Sequence, residues 1–426
     1  MTDLWPAPTC DNPISKVIEI PGSKSLTNRW LLLASIAATP SRIDLPLRAR
    51  DTELMANAIR SLGSSVETDG EDWVVTPGEL TGSTEIDCGL AGTVMRFVPP
   101  IAVLANGSVR FDGDPRARVR PMSAIISALR DLGAQISDDD RGTLPFTVLG
   151  KGFLSGGQVS LDASSSSQFI SALLLAGARY DQGITVTHSG GVLPSLPHIE
   201  MTISALAHAG ITVEQNLIDA RNATWHVSPK VPQGFSVTVE PDLSNAAAFV
   251  AAALVTNGSV TIKNWPEKTT QAGNALVELI PAMGGSVQRI GSDLKFTGNG
   301  KITGLDADLH EVGELTPVIA ALCALAETPS QLRGIGHLRG HETDRLAALT
   351  KEINKLGGQV TETEDGLRII PKQLHGGIFE TYEDHRMAMA GAVLGLNVKD
   401  LEIENIDTTS KTLLEFASRW LEMVTA

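Results

Sequence analysis

Gly22-Ser23-Lys24-Ser25 sits between an alternating run, Val17-Ile18-Glu19-Ile20, and the apolar stretch Leu31–Ala38. The same polar opening of an apolar helix recurs at Gly89-Leu90-Ala91-Gly92-Thr93, Ser165-Ser166-Ser167-Gln168 and Asp242-Leu243-Ser244-Asn245. It recurs again at Val312-Gly313-Glu314-Leu315 and Glu383-Asp384-His385-Arg386. Marked at Ser25, Gly92, Ser167, Ser244, Glu314 and His385, the spacings are 67, 75, 77, 70 and 71 residues. A second set of helices, amphipathic ones, keeps the same beat. They close on Leu62-Gly63, Leu132-Gly133, Ala209-Gly210, Met283-Gly284 and Leu356-Gly357, and a sixth is expected over Leu413–Met423. An internal period of this length names the architecture before any single motif does.

Each repeat reads as strand, apolar helix, strand, amphipathic helix, strand. The strands before the openings alternate, as in Val159-Ser160-Leu161-Asp162 and Ser236-Val237-Thr238-Val239-Glu240. Turns such as Asn106-Gly107-Ser108 and Asn257-Gly258-Ser259 introduce the strands that follow the apolar helices. The one stretch without periodicity is Ser228-Pro229-Lys230-Val231-Pro232-Gln233-Gly234, between the third and fourth repeats. An α/β chain of two domains is therefore expected, one over 21–233 and the other over 1–20 plus 234–426.

Of the 426 residues, 42% are hydrophobic, 19% charged and 4% aromatic, which is globular composition with aliphatic cores. A net charge of −15 argues against nucleic acid or an anionic membrane as partner, but not against a small anion held in a locally basic site. Cys10, Cys88 and Cys323 are few, odd in number and far apart, which fits a reducing compartment. No secretory signal is visible, and no apolar stretch is long enough to span a bilayer. A soluble cytoplasmic protein is expected.

Helix N-termini carry unpartnered N–H groups and partial positive charge, so they attract anions. Any one Ser, Asp or Gly at such a position is an ordinary cap. Six in register, with Lys or Arg in or just after several of them, point to one large anion site. Ser25 and Arg29 are four apart and share a helix face beside Lys24, a set suited to a phosphate or carboxylate. The spacing is not that of a nucleotide-binding P-loop. Gly92 precedes Arg96 by one turn and admits a ligand close to the backbone. Asp112–Pro121 is an Arg-dense loop containing Arg120, and Ser164–Gln168 supplies hydroxyls and an amide. Carboxylates enter in the second half: Glu314 opens the fifth apolar helix, Glu342 stands three residues before Arg345, on one face if helical, and the Asp384-His385-Arg386 and Ser410-Lys411-Thr412 clusters follow. No HExxH pattern and no Cys/His cluster is present, so no metal is expected. No GxSxG marks a serine nucleophile.

PGSKSLTNR, LAGTVMR, SSSSQF, ETDR, DHRMAM and SKT, in this order and spacing, resemble the signatures of the EPSP synthase (3-phosphoshikimate 1-carboxyvinyltransferase) family from about Ile18 to Arg419. The resemblance implies a two-domain inside-out α/β barrel of six βαβαββ units, with the active site in the interdomain cleft and no cofactor. It implies transfer of the enolpyruvyl group of phosphoenolpyruvate (PEP) to the 5-hydroxyl of shikimate 3-phosphate through a tetrahedral ketal. Lys24, Ser25, Arg29, Ser166, Ser167, Gln168, Ser195, Glu314 and His341 would then bind shikimate 3-phosphate. Lys24, Gly92, Arg120, Gln168, Arg345, Arg386 and Lys411 would bind PEP. Glu314, Glu342, Lys24 and Lys411 would carry the catalysis, with Glu314 the base near the 5-hydroxyl and Glu342 handling the C3 proton. A monomer inhibited by glyphosate is expected.

The chain departs from that pattern at Leu90 (often Asn), Phe97 (often Pro), His198 (Tyr), His337 (Asn) and His341 (Lys). These departures bear on pH dependence and inhibitor sensitivity. The sister family, UDP-N-acetylglucosamine enolpyruvyl transferase, usually carries a Cys in the loop equivalent to Asp112–Arg120. Here that loop has none, and Asp114 is the only substitute. A non-catalytic binding protein on this fold would be expected to lose Glu314, Glu342 or Lys24, and all are present.

Overall fold

The computed structural model describes residues 3–425. The chain divides into two compact units, Gly22–Val239 and Met1–Pro21 with Glu240–Ala426. Each has its own aliphatic core.

Every one of the six openings starts a helix buried on nearly all sides. In the first unit these are Lys24–Ser35, Gly92–Phe97 (continued after Val98 by Pro99–Ala102) and Gln168–Gly177. In the second they are Leu243–Val255, Thr316–Ala324 and His385–Gly395. Runs such as Ala246-Ala247-Ala248-Phe249-Val250 have no polar face, so helices made of them must lie inside. Within each unit the three buried helices pack on one another. The amphipathic helices Arg50–Ser61, Ser123–Asp131, Leu196–His208 and Arg345–Lys355 each present one buried stripe. They stop where the apolar-plus-glycine pattern says they should. Gly63, Gly133, Gly210, Gly284 and Gly357 all follow a helix with φ between 79° and 111°, a left-handed terminator that glycine adopts without steric cost.

Five four-stranded sheets share one topology. A parallel pair flanks the buried helix, and a hairpin adds two antiparallel strands. In one of them Gly157–Leu161 pairs in parallel with Ile184–Ser189, which is followed by Asn222–Val227 and Val213–Asp219. Two departures from a simple sequential repeat appear. Ser15–Ile18, the strand leading into the first buried helix, pairs with Ser259–Ile262 of the second unit. Ser236–Thr238, which leads into the fourth, pairs with Ser41–Asp44 of the first unit. The first and fourth repeats thus exchange their leading strands. The sixth sheet has three strands and no hairpin of its own; Leu4–Pro6 takes the free edge of Leu401–Glu404, antiparallel to it. The closing helix runs over Phe416–Thr425 instead of starting at Leu413, because Glu415 has a left-handed φ of 57°. Among the described residues no helix is long and apolar enough to cross a membrane.

Candidate active site

In each unit the starts of the three buried helices come together. Ser23 caps the first, its hydroxyl accepting from Leu26 N–H at 3.5 Å, and leaves Lys24 as the first helical residue. Lys24 Nζ lies 3.2 Å from the buried Asp51 carboxylate. Asn28 Nδ2 donates to Thr93 Oγ1 at 2.6 Å, tying the first helix start to the second. Arg96 Nη1 donates to Ser166 Oγ at 3.1 Å and Gln168 Oε1 at 2.9 Å, tying the second to the third. Gly92 begins the second helix, and a Cβ built there would lie 3.0 Å from Arg120 Nη2 and 3.3 Å from Gln168 Oε1. Arg120 is itself fixed by a 3.0 Å bond from Nη1 to Leu90 O. Gly92, Arg120 and Gln168 are therefore direct neighbours.

Arg29 lies deeper. It is 1% exposed, spans Thr202 Oγ1 (2.8 Å), Ser25 O (2.9 Å) and His198 O (2.9 Å), and stacks over Phe97. Ser195 sits one residue ahead of the helix Leu196–His208, in a left-handed conformation with φ 54°. His198 touches Arg29 and Ser171 through its carbonyl, so its backbone places it regardless of ring chemistry. Ser166 and Gln168 are half-buried and Ser167 is buried. Lys24, Arg29, Arg96 and Arg120 bring four cationic side chains to or near these helix starts, and Lys24 pairs with Asp51.

The second unit places its charges in balance. Ser244 Oγ donates to Glu314 Oε1, and Arg386 Nη2 lies 3.7 Å from Glu314 Oε2. Asp242 caps the helix that carries Ser244, accepting from Ser244 and Asn245 N–H at 3.1 and 3.0 Å. Asn245 in turn donates to Thr412 O at 2.9 Å, which fixes the segment next to Lys411. Arg345 is 2% exposed and fully engaged. Its Nε and Nη2 donate to Asp384 at 2.8 and 3.2 Å, Nη2 also to Glu342 Oε2 at 2.8 Å, and Nη1 to His341 Nδ1 at 3.2 Å. A guanidinium is donor-only, so His341 Nδ1 accepts and the imidazole is in its Nε2–H form. Burial pushes the Arg345 guanidinium down, but Asp384, Glu342 and the field of Glu314 outweigh it and hold it above the ordinary arginine value. Lys411 Nζ is buried, makes no hydrogen bond among the described residues, and has Glu342 Oε1 at 3.8 Å.

Two local readings of the sequence need correction. Glu342 is not on the helix of Arg345. That helix starts at Arg345 behind an Asp344 cap that accepts from Ala347 N–H, and the Glu342–Arg345 pair forms across the helix entry. Glu314 lies in the 3₁₀ turn His310–Leu315 and does not open the α-helix, which begins at Thr316. Both carboxylates precede a helix start, where their charge is favoured.

Of four residues that hold the candidate ligands, Asp51 goes unmarked in the sequence, and Arg96, Ser244 and Asp384 stand out there only as parts of helix openings, without a role. Arg96 follows Gly92 by one turn, as Arg29 follows Ser25, and that repeat was the available signal. Asp51 and Ser244 carried none beyond ordinary helix-start composition. Among the described residues no group of three His, Cys, Asp or Glu could hold a metal ion.

A sequence model of the family described as EPSP synthase (3-phosphoshikimate 1-carboxyvinyltransferase) matches residues 8–420. A 3-phosphoshikimate 1-carboxyvinyltransferase of Kocuria rhizophila is 51% identical over 99% of this chain and 97% of that protein. In structure the chain is similar to an EPSP synthase from Acinetobacter baumannii, with a TM-score of 0.80 at 24% identity over 99% of this chain and 97% of the other. It is also similar to the enolpyruvyl transferase NikO from Streptomyces tendae, with a TM-score of 0.76 at 16% identity over 99% and 97% of the two chains. At those identities the structural likeness speaks to the fold.

Proposed function

The chain belongs to the EPSP synthase family, and from that membership and the side-chain clusters above we propose its reaction and the roles of its residues. It transfers the enolpyruvyl group of PEP to the 5-hydroxyl of shikimate 3-phosphate, releasing inorganic phosphate. Lys24, Ser25, Arg29, Ser166, Ser167, Gln168, Ser195, Glu314 and His341 are assigned to shikimate 3-phosphate. Lys24, Gly92, Arg120, Gln168, Arg345, Arg386 and Lys411 are assigned to PEP. Arg96 orients Ser166 and Gln168, and Asp384 orients Arg345.

In the addition, Glu314 removes the 5-hydroxyl proton as that oxygen bonds to C2 of PEP. C3 takes up a proton, which Lys411 supplies and Glu342 relays, and becomes a methyl group. In the elimination the methyl returns a proton by the same route, the C2–C3 double bond reforms, the C2–O bond to phosphate breaks, and the departing phosphate takes up the proton that Glu314 removed. Lys24, Arg120 and Arg345 oppose the charge that develops on phosphate and carboxylate. Fixed cations of this kind are worth most where they need not reorganise during reaction, and positioned proton donors add about 10²–10⁴-fold.

The observation that carries the assignment is Glu342, 10% exposed at its side chain, set between the Arg345 guanidinium at 2.8 Å and the Lys411 ammonium at 3.8 Å. A carboxylate so placed is poised for proton transfer next to a fixed cation. The three cysteines are free thiols, as suits a reducing compartment, and we place the enzyme in the cytoplasm. Glyphosate carries a phosphonate and a carboxylate and is expected to compete with PEP; inhibition indifferent to PEP concentration would count against this. The functional test is phosphate release from PEP with shikimate 3-phosphate or UDP-N-acetylglucosamine as acceptor. Release with the former alone is expected, and release with the latter alone overturns the assignment.

A further inference from the structure

The turn that delivers Asp384 and Arg386 is held from outside the site by a buried carboxylate. Tyr382 and Glu383 are consecutive non-glycine residues in the left-handed region, with φ of 56° and 59°. Side chains with a Cβ resist that conformation, so surrounding contacts must impose it. The helix Arg345–Lys355 imposes it at two points. At its start Arg345 grips Asp384. Seven residues on, Glu352 is fully buried and grips the other side of the turn. Its Oε1 accepts from Tyr382 Oη at 2.6 Å, and its Oε2 accepts from Glu380 N–H at 3.0 Å and Lys355 Nζ at 3.2 Å. Lys351 covers the outer face, its Nζ 5.2 Å from the Tyr382 ring centroid and 3.1 Å from Glu380. Burial and the neighbouring Glu352 carboxylate push the Tyr382 phenol up to about 12, so it remains a donor at neutral pH. Within the turn, Asp384 N–H donates to Thr381 O at 2.9 Å, and Asp384 Oδ1 accepts from Arg386 N–H at 2.9 Å. Glu352 thus holds Tyr382 and Glu380, and the short backbone of the turn joins these to Asp384 and Arg386.

We propose that Glu352 and Tyr382 are positioning residues that clamp the 380–384 turn and thereby set Asp384, and with it Arg345 and Arg386, for the anion that the two arginines hold. The proposal rests on the assignment of Arg345 and Arg386 to PEP. Neither Glu352 nor Tyr382 touches substrate in this scheme. Both act through the turn.

Tyr382→Phe and Glu352→Gln test it, with Trp265→Phe as the control. Trp265 is a buried residue of the same unit whose Nε1 donates to Asn274 Oδ1 at 2.9 Å, away from the turn. Two readouts are taken at matched loss of thermal stability: amide hydrogen exchange over residues 380–388, and steady-state KM for each substrate. In Tyr382→Phe, exchange over the turn should rise by about tenfold or more, the equivalent of one lost hydrogen bond to a charged group. KM for PEP should rise roughly 5- to 20-fold, while KM for shikimate 3-phosphate and kcat stay within about threefold. Glu352→Gln keeps an oxygen for Tyr382 but turns an amide NH₂ toward Glu380 N–H, so it should fall between wild type and Tyr382→Phe. It also stands in should the Phe variant not fold. Unchanged exchange in the turn, or an equal rise of PEP KM in Trp265→Phe, overturns the clamp. If the wild-type protein releases no phosphate from PEP with shikimate 3-phosphate, the functional assignment fails, and the exchange readout still decides the clamp.

Discussion

Replacing Gly92 by Ala adds one methyl group where the structure leaves no room for it beside two assigned PEP ligands. The new Cβ would stand 3.0 Å from Arg120 Nη2, 3.3 Å from Arg120 Nη1 and 3.3 Å from Gln168 Oε1. Ordinary contact is about 3.6 Å, so the guanidinium must retreat by roughly half an ångström. All three atoms are side-chain tips, so the backbone does not have to move. Gly92 opens a helix, and alanine suits a helix better than glycine, so thermal stability should hold or rise slightly. The cost falls on Arg120. Its 3.0 Å bond to Leu90 O lengthens toward the limit of a hydrogen bond, a loss of about 1 kcal/mol. Misplacement of the cation relative to its anion adds to this, up to about 10²-fold for a full ångström. KM for PEP is therefore expected to rise roughly 5- to 50-fold, with KM for shikimate 3-phosphate within about threefold. Steady-state phosphate release with each substrate varied measures both. Coupling to Arg120 is checked by a double-mutant cycle, in which Gly92→Ala should cost little more once Arg120 is already Ala. A folded Gly92→Ala protein with wild-type PEP KM would refute the placement of PEP against Gly92 and Arg120.

Asp384→Ala strips the buried Arg345 of its two-bond partner and should cost about 3–5 kcal/mol in urea unfolding, whereas Asp384→Asn should cost less. A loss under 1 kcal/mol for the Ala variant would mean that Glu342 alone balances Arg345. Asp138 is pushed up by burial, but the Arg130 bond at 2.6 Å and the Gly142 N–H at 2.9 Å outweigh this and hold its carboxyl below the ordinary value. A depressed folded pKa stabilises above the unfolded pKa of about 3.9 and is lost as pH falls through the folded one. Asp138→Asn should therefore be less stable by about 1 kcal/mol at pH 7, a modest figure because Arg130 is partly exposed, with the gap closing below about pH 4. A gap constant with pH would exclude this origin. Burial pushes the Cys88 thiol far up and that of Cys323 up to about 11, while Cys10 is only half-buried. A disulfide reagent should titrate one thiol in the native protein and all three in denaturant.

The repeat made the architecture readable because its signals are local. Polar caps, all-apolar helices and Leu-Gly terminators recur at fixed spacing, and each acts within a few residues. Strand exchange left no such trace. Ser15–Ile18 and Ser236–Thr238 alternate as any half-buried strand does, and pairing partners chosen across 244 and 194 residues are not written in alternation. The same limit governed the site. Lys24 and Arg29 stood out as cations at a helix start, and Arg345 and Lys411 as members of polar clusters. Asp51 and Asp384, which hold two of them, are single aspartates whose partners come from elsewhere in the chain. Glu342 and Arg345 are three apart, which suggested a shared helix face, yet the Asp344 cap delays the helix and the pair forms by a different geometry. Tyr382 and Glu352 carried no legible signal, since nothing in either residue type announces a left-handed turn or a buried clamp.

The central claim, that Glu342 held between Arg345 and Lys411 moves the C3 proton, is tested most directly by deuterium. Addition turns C3 into a methyl group, and reversal removes any one of its three hydrogens, so wild-type enzyme in D₂O with both substrates should wash deuterium into C3 of recovered PEP. Glu342→Gln should slow that wash-in and product formation together, by about 10²-fold or more, while shikimate 3-phosphate still binds by calorimetry. Deuterium entering C3 at the wild-type rate in a folded Glu342→Gln protein would contradict the account.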